Sequence, residues 1–164
     1  MYYVKTGNHH RRRSLLAALL TISVLAGCSG EEEPYRKETS GLTGQVFIDG
    51  SPISAREPVK VDCINVAGFD TKHPTISSAL TGEYGRFEIS TYESGDGVPE
   101  GDYVLTFMWG KLNLIAGSYD GPDKLKGAYS DPKTSTFKVS VKQGAPTDLG
   151  IIELEIPKDS KKKK

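Results

Sequence analysis

Two segments of patterned hydrophobicity, residues 86–91 and 103–109, most constrain what this chain can fold into. In the first segment, apolar Phe87 and Ile89 alternate with polar or charged residues. This period of two is typical of a strand with one buried face. The second segment is apolar on both faces, as expected for a strand near the centre of a sheet that is covered on both sides. A glycine-rich stretch of turn residues separates them, so the chain is predicted to consist of strands and turns.

Five further segments carry similar strand patterns. They are Leu42–Ile48, Pro58–Val66, Thr75–Leu80, Lys133–Lys142 and Leu149–Ile156. In the last segment Ile152, Leu154 and Ile156 are predicted to face inward. The chain of 164 residues contains 18 Gly and 9 Pro and shows almost no helical periodicity. Seven strands joined by polar turns predict an all-β fold, a two-sheet antiparallel sandwich.

The first 27 residues have the composition of an export signal. A basic cluster at residues 11–13 precedes the uncharged, mostly apolar segment 14–26. A membrane-spanning helix needs about 20 apolar residues, whereas the core of a signal peptide needs only about 7 to 15. The segment is therefore predicted to direct export and then to be removed.

The four residues that end this segment, Leu25, Ala26, Gly27 and Cys28, resemble the lipobox of bacterial lipoproteins. In that family the cysteine thiol receives a diacylglyceryl group and the leader is cut immediately before it. The resemblance implies a signal peptide at 1–27 and a lipid anchor on Cys28 in the cell envelope, facing the periplasm. Ser29, which is not Asp, favours the outer membrane. The alternative is an ordinary secretory signal with an incidental cysteine.

The rest of the chain divides by composition into a tether, a domain and a tail. Residues 28–40 include an acidic run and lack apolar periodicity, which predicts the lipidated cysteine and a flexible tether. Residues 41–157 form the predicted sandwich, and 158–164 a basic disordered tail. Removal of 1–27 leaves 17 basic and 21 acidic residues, a net charge of −4. This charge argues against binding to nucleic acid.

Candidate chemical residues are few, and no cofactor is predicted. Cys63 shares a face with Val59 and Val61 and is predicted to be a small core residue. His73 is the only histidine after the leader, which argues against a zinc site. Four acidic residues on the glycine-rich loop offer oxygen ligands for calcium, although structural turn geometry is the favoured interpretation. They are Glu93, Asp96, Glu100 and Asp102.

The segment 111–131 does not follow the strand rhythm. It is predicted to be a long loop with one helical turn near residues 121–127. A packed crossover that covers a sheet edge is favoured over a ligand-binding loop.

Several blocks together resemble bacterial transthyretin-like lipoproteins, also described as carboxypeptidase regulatory-like domains. The blocks are residues 44–53, 85–92, 95–104, 125–133 and the closing strands. The resemblance implies a prealbumin-like, seven-stranded Greek-key β-sandwich. Hydroxyisourate hydrolases of this superfamily use paired histidines and a C-terminal Tyr-Arg-Gly-Ser. This chain has His73 alone and ends its last strand with residues 155–158, Glu-Ile-Pro-Lys.

The sequence therefore predicts a membrane-anchored lipoprotein whose domain is a non-catalytic binding or structural module of the envelope. Its expected partners are the membrane, through the lipid, and an envelope protein or carbohydrate. Two alternatives stay open: a hydrolase that uses the 111–131 region, and an envelope protein that associates with itself through an edge strand.

Overall fold

The computed structural model describes residues 34–113, 115 and 118–158, and this part of the chain is all-β, as predicted. The strands are β1 (Thr39–Ser40), β2 (Leu42–Ile48), β3 (Ser51–Pro52), β4 (Lys60–Asn65), β5 (Ser77–Leu80), β6 (Arg86–Glu88), β7 (Val98–Pro99), β8 (Gly101–Met108), β9 (Lys111–Asn113), β10 (Ser118–Asp120), β11 (Lys138–Val141) and β12 (Thr147–Leu154). One 3₁₀ turn, Glu83–Gly85, precedes β6. Among these residues we find no helix long and apolar enough to cross a bilayer.

One four-stranded antiparallel sheet has the order β11-β8-β4-β5. Strand β8 lies inside it, and its side chains are buried on both faces: Leu105 and Phe107 are 1% exposed, while Val104 and Thr106 on the other face are 7% and 5% exposed. This confirms the prediction of a central strand at 103–109. The strand begins earlier than predicted, because Gly101 already pairs with Val141 of β11.

The second sheet has the order β12-β2-β3, and β6 also pairs with β2. Strands β2 and β12 run parallel, with Thr147 beside Leu42 and Leu154 beside Ile48. The prediction of a fully antiparallel fold is therefore wrong at this pair. A tight turn after β11 delivers the chain directly to the start of β2, where the Thr147 N–H donates to the Gly41 carbonyl at 2.8 Å. A strand that enters at that end can only run parallel to β2.

The described residues form twelve strands rather than the predicted seven, and most of the strand bounds differ from the prediction. The five additional strands are short: β1, β3, β7, β9 and β10. Only Lys138–Val141 of the predicted strand 133–142 forms a strand, β11. The residues before it are a turn and an irregular segment, in which Asp131 accepts the N–H of Lys133 at 2.9 Å. Ile156 is not inward but 37% exposed, because the chain has left the sheet and its N–H donates to the Asp49 carboxylate at 3.2 Å.

The packed domain also begins earlier than the boundary at residue 41 that the sequence suggests. A compact unit starts at Tyr35, and β1 pairs with β7. The backbone of β1 lies very close to the backbone at Gly97, whose φ is +87°. A Cβ atom at this position would lie 1.9 Å from the Ser40 carbonyl oxygen. Only glycine fits such a position.

The hydrophobic core receives side chains from both sheets. Phe107 and Val61 from one sheet meet Val46 and Leu154 from the other in a single cluster. The ring of Phe107 also packs edge-on against Phe137, with centroids 5.1 Å apart. All buried members of this cluster lie between residues 42 and 154, so the core of the described domain does not involve the predicted signal peptide.

Candidate functional site

The chain enters the domain at one end, where three consecutive residues are fixed to two loops. The ring of Tyr35 lies 3.9 Å from that of His73. Arg36 pairs with Glu93 at 2.6 Å and Lys37 with Asp70 at 2.8 Å. The hydrogen bond from Lys37, with backbone N–H groups, lowers the pKa of the Asp70 carboxyl to about 2. We refer to this end, formed by loops 66–76 and 91–97, as the attachment end.

The lipobox residues themselves, Leu25, Ala26, Gly27 and Cys28, lie outside the described residues, as does Ser29. The basic tail after residue 158 does so as well. Lipidation of Cys28 and its consequence for location therefore stay predictions.

Asp96, one of the residues weighed as a calcium ligand, closes a turn. Its carboxylate accepts the backbone N–H groups of Thr91 at 2.7 Å, Tyr92 at 3.0 Å and Glu93 at 3.1 Å. Both carboxylate oxygens are thus engaged by the loop that they organise.

The other three calcium candidates have separate surroundings. Glu93 pairs with Arg36, Asp102 accepts a hydrogen bond from the Ser140 hydroxyl, and Glu100 is exposed. Within the described part of the chain, no group of three or more His, Cys, Asp or Glu side chains is placed to hold a metal ion.

An Asp96→Ala variant is expected to lose about 1–3 kcal/mol of unfolding free energy, because three backbone N–H groups lose their acceptor. Urea unfolding, measured with and without calcium, checks this value. Glu100→Ala is the matched control and should stay within about 0.5 kcal/mol of the parent. Calcium that stabilises the parent but not Asp96→Ala would contradict the turn assignment.

Cys63 and His73, the two side chains that could act as a nucleophile and a base, lie in different parts of the domain. Cys63 lies in the core, as predicted, and burial raises the pKa of its thiol to about 12. His73 is exposed at the attachment end, where its backbone N–H donates to Asp70 at 3.1 Å. Neither residue belongs to the 111–131 region at the other end of the strands.

The segment 111–131 contains a hairpin of β9 and β10 rather than the continuous loop predicted. The Tyr119 hydroxyl accepts the Gly110 N–H at 2.6 Å and lies within hydrogen-bond distance of the carbonyl oxygens of Pro58 and Met108, at 2.7 and 2.8 Å. Burial raises the pKa of this hydroxyl. It ties the hairpin to the adjoining strands.

Asp123 organises the second half of this segment, which has turns in place of the predicted helical turn. Its carboxylate accepts the N–H groups of Trp109 at 2.9 Å, Leu125 at 2.9 Å and Gly127 at 2.8 Å. Leu125 is fully buried. The segment is therefore packed over the sheet, in agreement with the crossover interpretation. An Asp at a turn with Gly four residues later was the signal available in the sequence.

An open groove of about 1140 Å³ lies at the end of β2 opposite the attachment end. Its lining residues are Asp49, Gly50, Lys126, Tyr129, Glu153, Glu155, Ile156, Pro157 and Lys158. The Tyr129 hydroxyl accepts the Glu155 N–H at 2.9 Å, and Glu153 accepts the Gly50 N–H at 2.5 Å. We refer to it as the distal groove. Lys126 and Tyr129 belong to the 111–131 region of the hydrolase alternative, but no residue of the groove was predicted individually to bind a ligand.

A smaller groove of about 500 Å³ lies on the outer face of β8 and β11. Val66 and Asp102 line it near the attachment end, and Lys133 and Lys138 line it further along. It brings one of the predicted acidic candidates, Asp102, next to two lysines.

Comparison with known proteins does not assign a family. No family model matches the chain, and no curated protein matches it. Similar solved structures include a DUF3823 family protein from Parabacteroides merdae, at 17% identity, 74% coverage of this chain, 47% coverage of that chain and a TM-score of 0.37. A 9R-lipoxygenase from Cyanothece PCC8801 follows at 13% identity, 71% and 16% coverage and a TM-score of 0.34.

This chain spans about half the length of the first of these structures and a smaller share of the second, 16%. At these TM-scores, neither likeness carries an argument about fold or function.

Proposed function

We propose that this chain is a lipid-anchored protein of the cell envelope whose β domain is a non-catalytic binding module. The observation that carries the proposal is the placement of the distal groove at the opposite end of β2 from the point where the chain enters. The lipobox-like residues before that entry point supply the anchor. We place the domain in the periplasm, on the outer membrane because Ser29 follows the cysteine.

The length of the segment between the predicted anchor and the domain limits how far the domain can lie from the membrane. Seven positions separate Cys28 from Tyr35, and a fully extended chain of this length reaches about 25 Å. Within the domain, the seven residues of β2 separate the end where the chain enters from the distal groove by about 20 Å, at about 3.3 Å per residue. This separation leaves the groove open to a ligand at the end of the domain remote from the entry point.

The lining of the distal groove suits a polar ligand. It combines the ring of Tyr129 with the carboxylates of Glu153 and Glu155 and the amines of Lys126 and Lys158. An aromatic face that packs on a ligand, with a few polar groups that fix its orientation, is typical of binding sites. We infer an envelope carbohydrate or a polar protein segment as the ligand.

The finer description of the fold belongs to the same proposal. We infer a two-layer sandwich of the transthyretin-like type, supported by the single core that Phe107 and Leu154 share between the two sheets. The parallel pairing of β2 with β12 sets it apart from a purely antiparallel Greek key.

Two residues of the 111–131 region, Lys126 and Tyr129, line the distal groove, so this region contributes to the proposed binding site. The hydrolase alternative is less favoured because Tyr119 and Asp123 of the same region are engaged by backbone groups that hold the segment in place. His73 lies at the attachment end, stacked on Tyr35.

Self-association through an edge strand is the other alternative. The edge strand β12 carries a bulge between Asp148 and Ile151, a feature that opposes sheet extension. Ile151 is nevertheless 61% exposed there. Sedimentation velocity of the mature chain without lipid tests this alternative, since a dimer would favour it over a monomeric module.

Site-specific photo-cross-linking in cells tests the distal groove. We expect a benzophenone amino acid in place of Glu155 to form an adduct with an envelope component. The matched control is Glu88, an exposed residue of the same type on β6, outside the groove. It should form none, because exposure alone does not make a binding surface.

Mass spectrometry of the adduct then separates a protein from a carbohydrate ligand. Equal yields at positions 155 and 88, or no adduct at 155, would contradict the assignment of the groove.

A further inference from the structure

The loop 66–76 exposes three apolar side chains at the attachment end. Val66 is 61%, Phe69 66% and Ile76 73% exposed. Isolated apolar residues on a surface are ordinary, but these three lie on a single loop.

This loop has internal hydrogen bonds that fix its shape. The Asp70 carboxylate accepts the N–H groups of Lys72 at 3.0 Å and His73 at 3.1 Å, and the Gly68 N–H donates to the Asn65 carbonyl at 3.1 Å. The apolar side chains are therefore presented on an ordered turn.

The loop also holds the segment that leads to the predicted anchor. Lys37 pairs with Asp70 at 2.8 Å, and Tyr35 stacks on His73 at 3.9 Å. The chain thus leaves the domain beside the exposed apolar residues. Lys72 is exposed on the same loop, where a basic side chain suits anionic headgroups.

We propose that loop 66–76 docks on the bilayer surface, with Val66, Phe69 and Ile76 entering the boundary between headgroups and acyl chains. This inference rests on the proposed lipid anchoring, which keeps the attachment end within reach of the membrane. Apolar side chains of interfacial segments enter this boundary by about 5–10 Å. Docking would set the tilt of the domain and hold the distal groove away from the lipid.

The experiment attaches the mature chain, residues 28–164, to vesicles through Cys28 and a maleimide lipid. The vesicles contain phosphatidylethanolamine and phosphatidylglycerol. Coupling is selective because Cys63 is buried in the core and its thiol pKa is raised to about 12. Attachment then does not depend on lipidation in cells.

Tryptophan fluorescence reports which residue meets the lipid. Because the chain has one tryptophan, Trp109→Phe provides a silent background. Phe69→Trp places an indole on the docking loop. Tyr84→Trp is the matched control, since Tyr84 has the same exposed fraction of 66% and lies just before β6, on the distal side.

On coupling, we expect the emission of the Phe69→Trp chain to shift to shorter wavelength. Quenching by brominated acyl chains should be several-fold greater than for the Tyr84→Trp chain. Equal quenching of the two chains, or no quenching of either, would overturn docking. Neither result would bear on lipid anchoring, because acylation of Cys28 in cells is measured in a separate experiment. The docking proposal and the anchoring proposal can therefore fail independently.

Discussion

Replacement of Phe107 by alanine is expected to lower the free energy of unfolding by about 3–5 kcal/mol. Phe107 lies on the central strand β8, is 1% exposed, and packs edge-on against Phe137. Its truncation removes a large buried apolar surface and leaves a cavity between the two sheets. Urea unfolding of the mature chain without lipid measures the loss.

The control is the same change at an exposed position. Phe69→Ala should alter the free energy of unfolding by at most about 0.5 kcal/mol in the absence of lipid, because its side chain is 66% exposed. Phe107→Leu should lose less than Phe107→Ala, since most of the buried volume remains. Equal losses for Phe107→Ala and Phe69→Ala would contradict a single core between the sheets.

A Cys28→Ser variant of the full chain is expected to lose all incorporation of labelled fatty acid in cells. The thiol is the acceptor in the proposed modification, and serine does not replace it. Each buried methylene contributes about 0.8 kcal/mol to membrane binding, so one acyl chain binds marginally and two or more bind stably. A gel-based assay with an alkyne fatty acid measures incorporation.

Cys63→Ala is the matched control and should retain full incorporation, because Cys63 is buried in the core. A second version replaces residues 1–28 with an ordinary cleavable secretory leader, and this protein should appear in the soluble periplasmic fraction. Label that persists in Cys28→Ser, or that disappears in Cys63→Ala, would show that Cys28 is not the modified residue.

The interior strands could be predicted because their signal is local. The two-faced apolar pattern of 103–109 placed β8 inside a sheet, and alternation placed Phe87 and Ile89 in the core. Cys63 was predicted in the core from its spacing to Val61. In each case the burial of a side chain follows from a repeat within a few residues.

Long-range pairing was not predictable in the same way. The turn after β11 ends beside the start of β2, and this position makes β12 run parallel to β2. The hydrophobic pattern of β12 itself does not specify the direction. Residues 35–37 resemble a charged tether, yet Lys37 pairs with Asp70, 33 positions away. Such a contact leaves no periodic trace in the sequence.

The distal groove escaped prediction for a related reason. Its lining comes from three separate segments, near Asp49, between Lys126 and Tyr129, and from Glu153 onwards. No motif spans them, and they meet only because β2 and β12 end side by side. Asp96, by contrast, lay in a recognisable turn, and the structure shows its carboxylate accepting the N–H groups of that turn.

The intact mass of the full chain, expressed in a bacterial envelope and extracted from its membranes, tests the central claim most directly. We predict a mature protein that begins at Cys28 and carries the added mass of a diacylglyceryl group, with or without an acyl group on its amine. A mature chain that contains Cys28 as an unmodified thiol, or that begins at another residue, would contradict the account.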